Sequence, residues 1–434
     1  MGECMVELTD YLLKLSAELP SRFDYARRLR KRFLFERLAG LVDDYLVGES
    51  PKTVLLPGLR GTGKTTLLGQ LYFHALSETA DVVYISADEA RLLGFSLHEV
   101  IERYFDVFRP KRPVLLLDEV QYDPDWDLTL KVLHDRRKAL VIATGSSALK
   151  LNESPDLARR AVHVEVKPLS FIEYLHLIGE DVEPVGLDAL FEFDVDRLER
   201  ALSTGARFAK TAEDYLTLGS LPLTLELEER TAYESLFSLV ERIVYRDLPE
   251  FRNFDSSTLD SALRLLTIIA SPKGERFSYE RLSKTLGISK STVMELVRAF
   301  VASGLLIEIS PVGGLSKKIR RSPKLKFSAP SLRASLLSKF EVVELAPLLE
   351  DAVALYLSGE GILEYEPGKG GADFVLTRRG KRYVVEVGLG KASYTQVRRS
   401  MERTGADFGI VIGREFDVRE NLLMIPWWSF LGLV

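Results

Sequence analysis

Short strand-like runs set the first rhythm of the chain: Thr53–Leu56, Val82–Ser86, Val114–Leu117, Leu140–Thr144 and His163–Val166. Runs of this length, rich in Val, Leu and Ile, suit strands covered on both faces. Helical stretches such as Thr66–Leu76 fall between them. The alternation over 51–178 predicts a parallel sheet with helical crossovers, hence an α/β core. Residues 1–50 read as helical and carry the basic stretch Ala26–Arg32. Residues 179–265 lack strand patterns and are rich in Leu, Glu and Arg, which predicts a helical lid packed on that core.

The pattern changes again at 266–335. Leu282, Leu286 and Ile288 are apolar around Gly287, and Ser289 can cap a helix whose apolar positions include Val293, Leu296, Val297 and Phe300. Gly304 ends that helix, "LLIEIS" opens a hairpin, "PVGG" turns it and "KLKFSA" returns. This is the rhythm of a winged helix, whose second helix, Lys290–Ala302, would enter a DNA major groove with Lys290 and Arg298 among its polar positions. Residues 336–434 read as a small α/β domain, with strands Asp373–Thr377 and Tyr383–Val387 flanking a basic turn, "RRGKR".

Chemistry concentrates after the first strand. Gly58, Leu59, Arg60, Gly61, Thr62, Gly63, Lys64 and Thr65, followed by Thr66, spell a phosphate-binding loop between a strand and a helix. Glycines let the backbone close on a ligand, and N–H groups at a helix start attract anions. Lys64 would reach the β- and γ-phosphates of a nucleotide, and Thr65 would hold Mg²⁺. The strand Val114–Leu117 runs into Asp118, placed to support the same cation, and Glu119, placed on the opposite side of an extended chain to polarise water. The second carboxylate favours hydrolysis over storage. Thr144 or Ser146, at the end of "ALVIATGSS", could meet the γ-phosphate or the attacking water.

Composition narrows the picture. With 434 residues, 46% of them hydrophobic, the chain has material for two to four domains. No apolar run is long enough to span a membrane, and no basic-then-apolar leader opens the chain, so a cytoplasmic protein is expected. One cysteine, Cys4, excludes internal disulfides, and the five histidines show no ligand spacing. Three Asn, three Gln and 28% charged residues resemble proteins from hot environments. A net charge of −5 gives no overall attraction to polyanions. However, "KKIRRSPKLK" (Lys317–Lys326) carries Lys317, Lys318, Arg320 and Arg321 and no acid, a run that is either a solvated face or a candidate DNA-contact stripe.

These segments together resemble a family of AAA+-type ATPases of archaea and bacteria with a winged helix and a C-terminal PD-(D/E)xK restriction-endonuclease-like domain. The likeness rests on Arg60 and Gly63–Leu68, "LDEVQYDPDW", "TGSSALKL", "ARRAVHVEVKPLSFIEYL", "DYLTLGSLP", "IVYRDL" and "KLKFSAPSLR". It implies ATP as the nucleotide. It implies an arginine acting across a homo-oligomer interface, with Arg160 or Arg159 as candidate. Asp373 and Glu386, with Glu350 or Asp351 upstream, would form a nuclease-like acidic set. The chain departs from that pattern at Gly388, where a working nuclease carries Lys, and Lys391 would have to reach in instead. The C-terminal domain is therefore expected to be inactive or binding-only. The resulting expectation is a Mg²⁺-dependent ATPase acting on DNA. The alternatives are an ATP-regulated nuclease using Asp373 and Glu386, and a nucleotide switch that holds a protein partner.

Overall fold

The computed structural model describes residues 2–136, 139–145, 157, 159–271, 278–340, 342–390 and 394–434. They divide into two compact units, 1–167 and 168–434.

The first unit is built on parallel strands β1 (Thr53–Pro57), β2 (Val82–Ser86), β3 (Val114–Asp118), β4 (Leu140–Gly145) and β5 (Ala161–His163), in the order β2-β3-β4-β1-β5. Alternate residues serve opposite cores. Val54 and Leu56 join Leu67, Leu68 and Leu71 of the helix Lys64–Glu78 on one face. Leu55, Leu115 and Leu117 join Val100, Ile101 and Leu130 on the other. The register sets Leu56 beside Thr144 and Ser86 beside Asp118, so the C-terminal strand ends converge on one edge, where open α/β sheets bind ligands. The strand expected at His163–Val166 lies earlier. Val164 and Val166 are buried and still donate to Leu55 and Pro57 carbonyls at 2.9 and 2.8 Å, but they do so from an irregular segment after the regular ladder has ended.

The second unit joins helices to an eight-stranded mixed sheet. Its strands are β6 (Leu306–Pro311), β7 (Lys324–Phe327), β8 (Ile362–Tyr365), β9 (Phe374–Arg378), β10 (Lys381–Val387), β11 (Phe408–Gly413), β12 (Asp417–Arg419) and β13 (Leu422–Pro426), in the order β12-β13-β11-β10-β9-β8-β6-β7. Of the segment 179–265 expected to be helical, helices begin at Asp188 and continue, with breaks, to Ala270, and Leu190 and Leu198 share a core with Tyr356, Phe374, Ile410, Trp427 and Phe430. Gly205 is required here, because a Cβ would stand 2.6 Å from Ser429 Cα. Ile172 N–H donates to the Val434 carbonyl at 2.9 Å and Gly186 N–H to the Leu433 carbonyl at 2.7 Å, so the end of the chain closes on the start of this unit.

The helices Tyr279–Leu286 and Lys290–Ala302 form as the pattern predicts, with Gly287 at φ 69° between them and the Ser289 hydroxyl capping the second. β6 and β7 pair antiparallel, but a short helix, Leu315–Arg320, stands where a simple turn was expected. β6 also pairs with β8, so this hairpin belongs to the same sheet as the C-terminal strands. Among the described residues, no helix is long and apolar enough to cross a membrane.

Candidate functional site

The loop after β1 has the conformation its glycines permit. Gly61 and Gly63 take φ 81° and 84°, a region closed to most side chains. Gly58 is needed for a different reason: a Cβ there would lie 2.4 Å from the Val166 carbonyl oxygen. Thr62 is fully buried and donates to the Leu59 carbonyl at 2.8 Å. Lys64, which is buried, opens the helix and donates to the Gly58 and Leu59 carbonyls at 2.8 and 3.0 Å. Leu59 and Arg60 are buried and Thr66 is half-buried on the first helical turn.

Asp118, 3% exposed, ends β3 under three hydroxyl groups. Thr65 and Tyr84 donate to Oδ2 at 2.7 and 2.8 Å, and Thr144 donates to Oδ1. Burial raises the Asp118 carboxyl, the neighbouring Glu119 charge raises it further, and the three hydroxyls oppose this. The same Thr144 hydroxyl accepts from Glu119 N–H at 3.2 Å, so it organises both acids rather than standing apart from them. Glu119 is not extended. It takes the left-handed conformation at φ 52°, which corrects the expectation of simple strand alternation. Its carboxylate accepts from Gln121 Nε2 at 2.5 Å and faces Arg60 at 3.7 Å, and Arg60 also donates to the Tyr122 hydroxyl at 3.0 Å. Ser146 lies outside the described residues. Arg160 pairs with Asp135 at 3.0 Å, and Arg159 is exposed.

A second cluster lies in the other unit. Asp373 sits just before β9, beside Glu386 on β10, and accepts from Val387 N–H at 3.1 Å. Lys324 of β7 reaches both Glu350, at 2.9 Å, and Asp373, at 3.1 Å, and the fully buried Lys326 reaches Glu350 at 2.6 Å. Burial alone would raise Glu350, but Lys326 and Lys324 overcome it and hold the carboxyl down at about 2. Burial, then the Asp373 charge, pushes Glu386 up to about 8, and Gln396 donates to it. Asp351 is not part of this set: it forms a buried pair with Arg333 at 2.5 Å. Position 388 is a glycine without an ammonium group, and Lys391 lies outside the described residues. Among the described residues, no group of three or more His, Cys, Asp or Glu side chains is arranged to hold a metal ion.

The expected basic stripe is divided. Lys324 and Lys326 turn inward, and Lys318 pairs with Glu364 at 2.7 Å. Arg321 is exposed, as are Arg298 and Lys290, the last paired with Glu280. Lys317 and Arg320 lie on the helix Leu315–Arg320.

Residues 50–175 match a family model described as an AAA domain, and 209–342 match a domain of unknown function, DUF8612. Over 452 aligned residues the chain is 42% identical to the "Uncharacterized protein MJ1637" of Methanocaldococcus jannaschii, covering 100% of this chain and 96% of the relative. The chain belongs to the family of this archaeal protein. The loop and the Asp118–Glu119 pair therefore sit within the segment that matches an AAA domain, a match that supports nucleotide binding. Solved structures with some likeness include the Aeropyrum pernix ORC1 protein in complex with DNA (TM-score 0.33, 15% identity, 70% of this chain and 91% of that one). Another is the Thermotoga maritima RuvB Holliday junction branch migration motor (TM-score 0.33, 14% identity, 63% and 88%). Scores this low do not equate whole architectures.

Proposed function

We propose that the chain is a Mg²⁺-dependent ATPase whose nucleotide state rearranges the second unit, and that it acts on DNA. The observation that carries this reading is the constellation of Thr65, Asp118, Thr144 and Glu119 beside the Lys64 loop. The fit to MgATP rests on the loop itself: Gly61 and Gly63 curl it at positive φ, a conformation closed to most side chains, and Lys64 rests on neutral carbonyls of the same loop. Bound MgATP supplies the phosphoanhydride bond and the cation that polarises it. Lys64 and the N–H groups of Gly61, Thr62 and Gly63 would hold phosphate, and Thr65 and Asp118 would hold the cation shell. Glu119, oriented by Gln121 and Arg60, takes a proton from the attacking water. Arg160 is the candidate to act on a neighbouring copy, where it would have to leave Asp135.

Helix Lys290–Ala302 and the segment Lys317–Arg321 form the proposed DNA face, read as a winged helix. The C-terminal sheet is read as an endonuclease-like fold kept for binding, because Lys324 and Lys326 already neutralise Glu350 and Asp373. The test is steady-state ATP hydrolysis with and without duplex, single-stranded and branched DNA at two salt concentrations, with Glu119→Gln as control. Stimulation that fades with salt supports DNA action, since released counterions make phosphate contacts salt-sensitive. Hydrolysis indifferent to every DNA favours a switch for a protein partner. Metal-dependent cleavage lost in Asp373→Asn and kept in Lys64→Ala favours a nuclease.

A further inference from the structure

One buried cation in the first unit lies outside the segment matched as an AAA domain and touches the phosphate loop directly. Arg32, 8% exposed, donates from Nη1 to the Thr62 carbonyl at 2.7 Å and from Nη2 to the Lys167 carbonyl at 3.0 Å. These two carbonyls belong to different walls of the site. Thr62 lies in the loop between Gly61 and Gly63, both at positive φ. Lys167 follows Val166, whose N–H donates to Pro57 at 2.8 Å and whose carbonyl crowds Gly58. The planar guanidinium fork suits two acceptors at once in a way that an ammonium does not.

The contact has a geometric consequence. A trans peptide points its C=O and the following N–H in opposite directions. Holding the Thr62 carbonyl toward Arg32 therefore turns the Gly63 N–H away from it. Gly63 has no side chain to restrict that peptide, so its plane needs an external hold. The segment bearing Arg32 is itself fastened: Gln70, on the P-loop helix, donates to the Ala26 and Leu29 carbonyls at 3.2 Å each. Helix and loop thus grip the same strap at two points.

We propose that Arg32 is a positioning residue of the nucleotide site, which sets the Thr62–Gly63 peptide so that the Gly63 N–H faces phosphate. The inference rests on the nucleotide-binding reading above. It makes diphosphate affinity depend on a residue that precedes the matched domain.

The test is calorimetric titration of the full chain with MgADP and with AMP, for wild type, Arg32→Ala, Arg32→Lys and Lys64→Ala, alongside melting curves without nucleotide. Loss of a charge-assisted hydrogen bond predicts MgADP binding weaker by roughly 10–100-fold in both Arg32 variants. AMP, which lacks the β-phosphate, loses much less. Millimolar guanidinium ion restores MgADP affinity to Arg32→Ala and not to Lys64→Ala, and a purely structural arginine would lower the nucleotide-free melting temperature without the contrast between MgADP and AMP. If Arg32→Ala does not fold, Arg32→Lys decides, since it keeps the charge and loses the fork. Unchanged MgADP affinity in the folded variants, with wild type binding normally, overturns the proposal alone. Failure of wild type to bind MgADP overturns the nucleotide reading and the proposal with it.

Discussion

Asp118 is a buried carboxyl and Glu350 a largely buried one, and their acidities move in opposite directions. Asp118 is held by the hydroxyls of Thr65, Tyr84 and Thr144, neutral groups that orient it without cancelling its charge. Glu350 is held by the ammonium groups of Lys324 and Lys326, which cancel it outright. Hydroxyls keep a carboxylate available to an incoming cation. Ammonium groups turn it into part of the framework. A carboxylate withdrawn from solvent thus reads as a site in one unit and as a strut in the other, and the partners tell them apart.

The largest test of that contrast is kinetic. Glu119→Gln should slow ATP hydrolysis by about 10²–10⁴-fold, the range of a positioned general base, while MgADP binding persists. Phosphate release against calorimetric titration measures both, and turnover near that of wild type would remove Glu119 from the chemistry. The next test is thermodynamic. Glu350→Gln removes an anionic partner of both Lys324 and the buried Lys326 and should cost up to about 3–5 kcal/mol in urea denaturation, as breaking one side of a buried ion pair does. Asp118→Asn loses no ionic partner among its hydroxyl contacts and should cost about 1 kcal/mol or less, while ending the Mg²⁺ dependence of nucleotide affinity. Equal losses in the two variants would erase the distinction between site and strut.

The smallest effect is a pH slope. Folded Glu386 keeps its proton up to about pH 8, whereas its ordinary value is 4.5. The native state therefore binds more protons than the unfolded chain between these values, and its stability falls as pH rises through that window. Glu386→Gln should match wild type near pH 4 and melt higher at pH 8. A wild-type slope that survives the substitution would assign it to another group.

Much of the first unit was legible because its signals are local. Apolar runs in β1 to β4 and a glycine loop before a helix are spelled by consecutive residues, and each formed within a residue or two of its expected bounds. The left-handed backbone of Glu119 carries no such signal, because Gln121, Arg60 and Thr144 fix that acid through the fold. Lys324 and Lys326 were misread for a related reason. Lys-Leu-Lys-Phe alternates as a half-solvated strand does, but the helix Leu345–Leu357 packs on β7 and brings Glu350 to the face that the pattern leaves wet. Arg32 was noted only as part of a basic stretch, since nothing in neighbouring residues announces carbonyl partners at Thr62 and Lys167.

The hydrogen bonds from Ile172 to Val434 and from Gly186 to Leu433 also bear on how the molecule is made. During synthesis the first unit leaves the ribosome with every strand of its sheet in hand. The second unit cannot close its core until its last residues have emerged, on the order of 10 s or more later at ordinary translation rates. Through that interval its opening helices expose apolar faces whose partners, Trp427 and Phe430, have not yet been translated. The nascent chain therefore carries a complete first unit ahead of an incomplete second one, and that interval is when it most needs protection from aggregation.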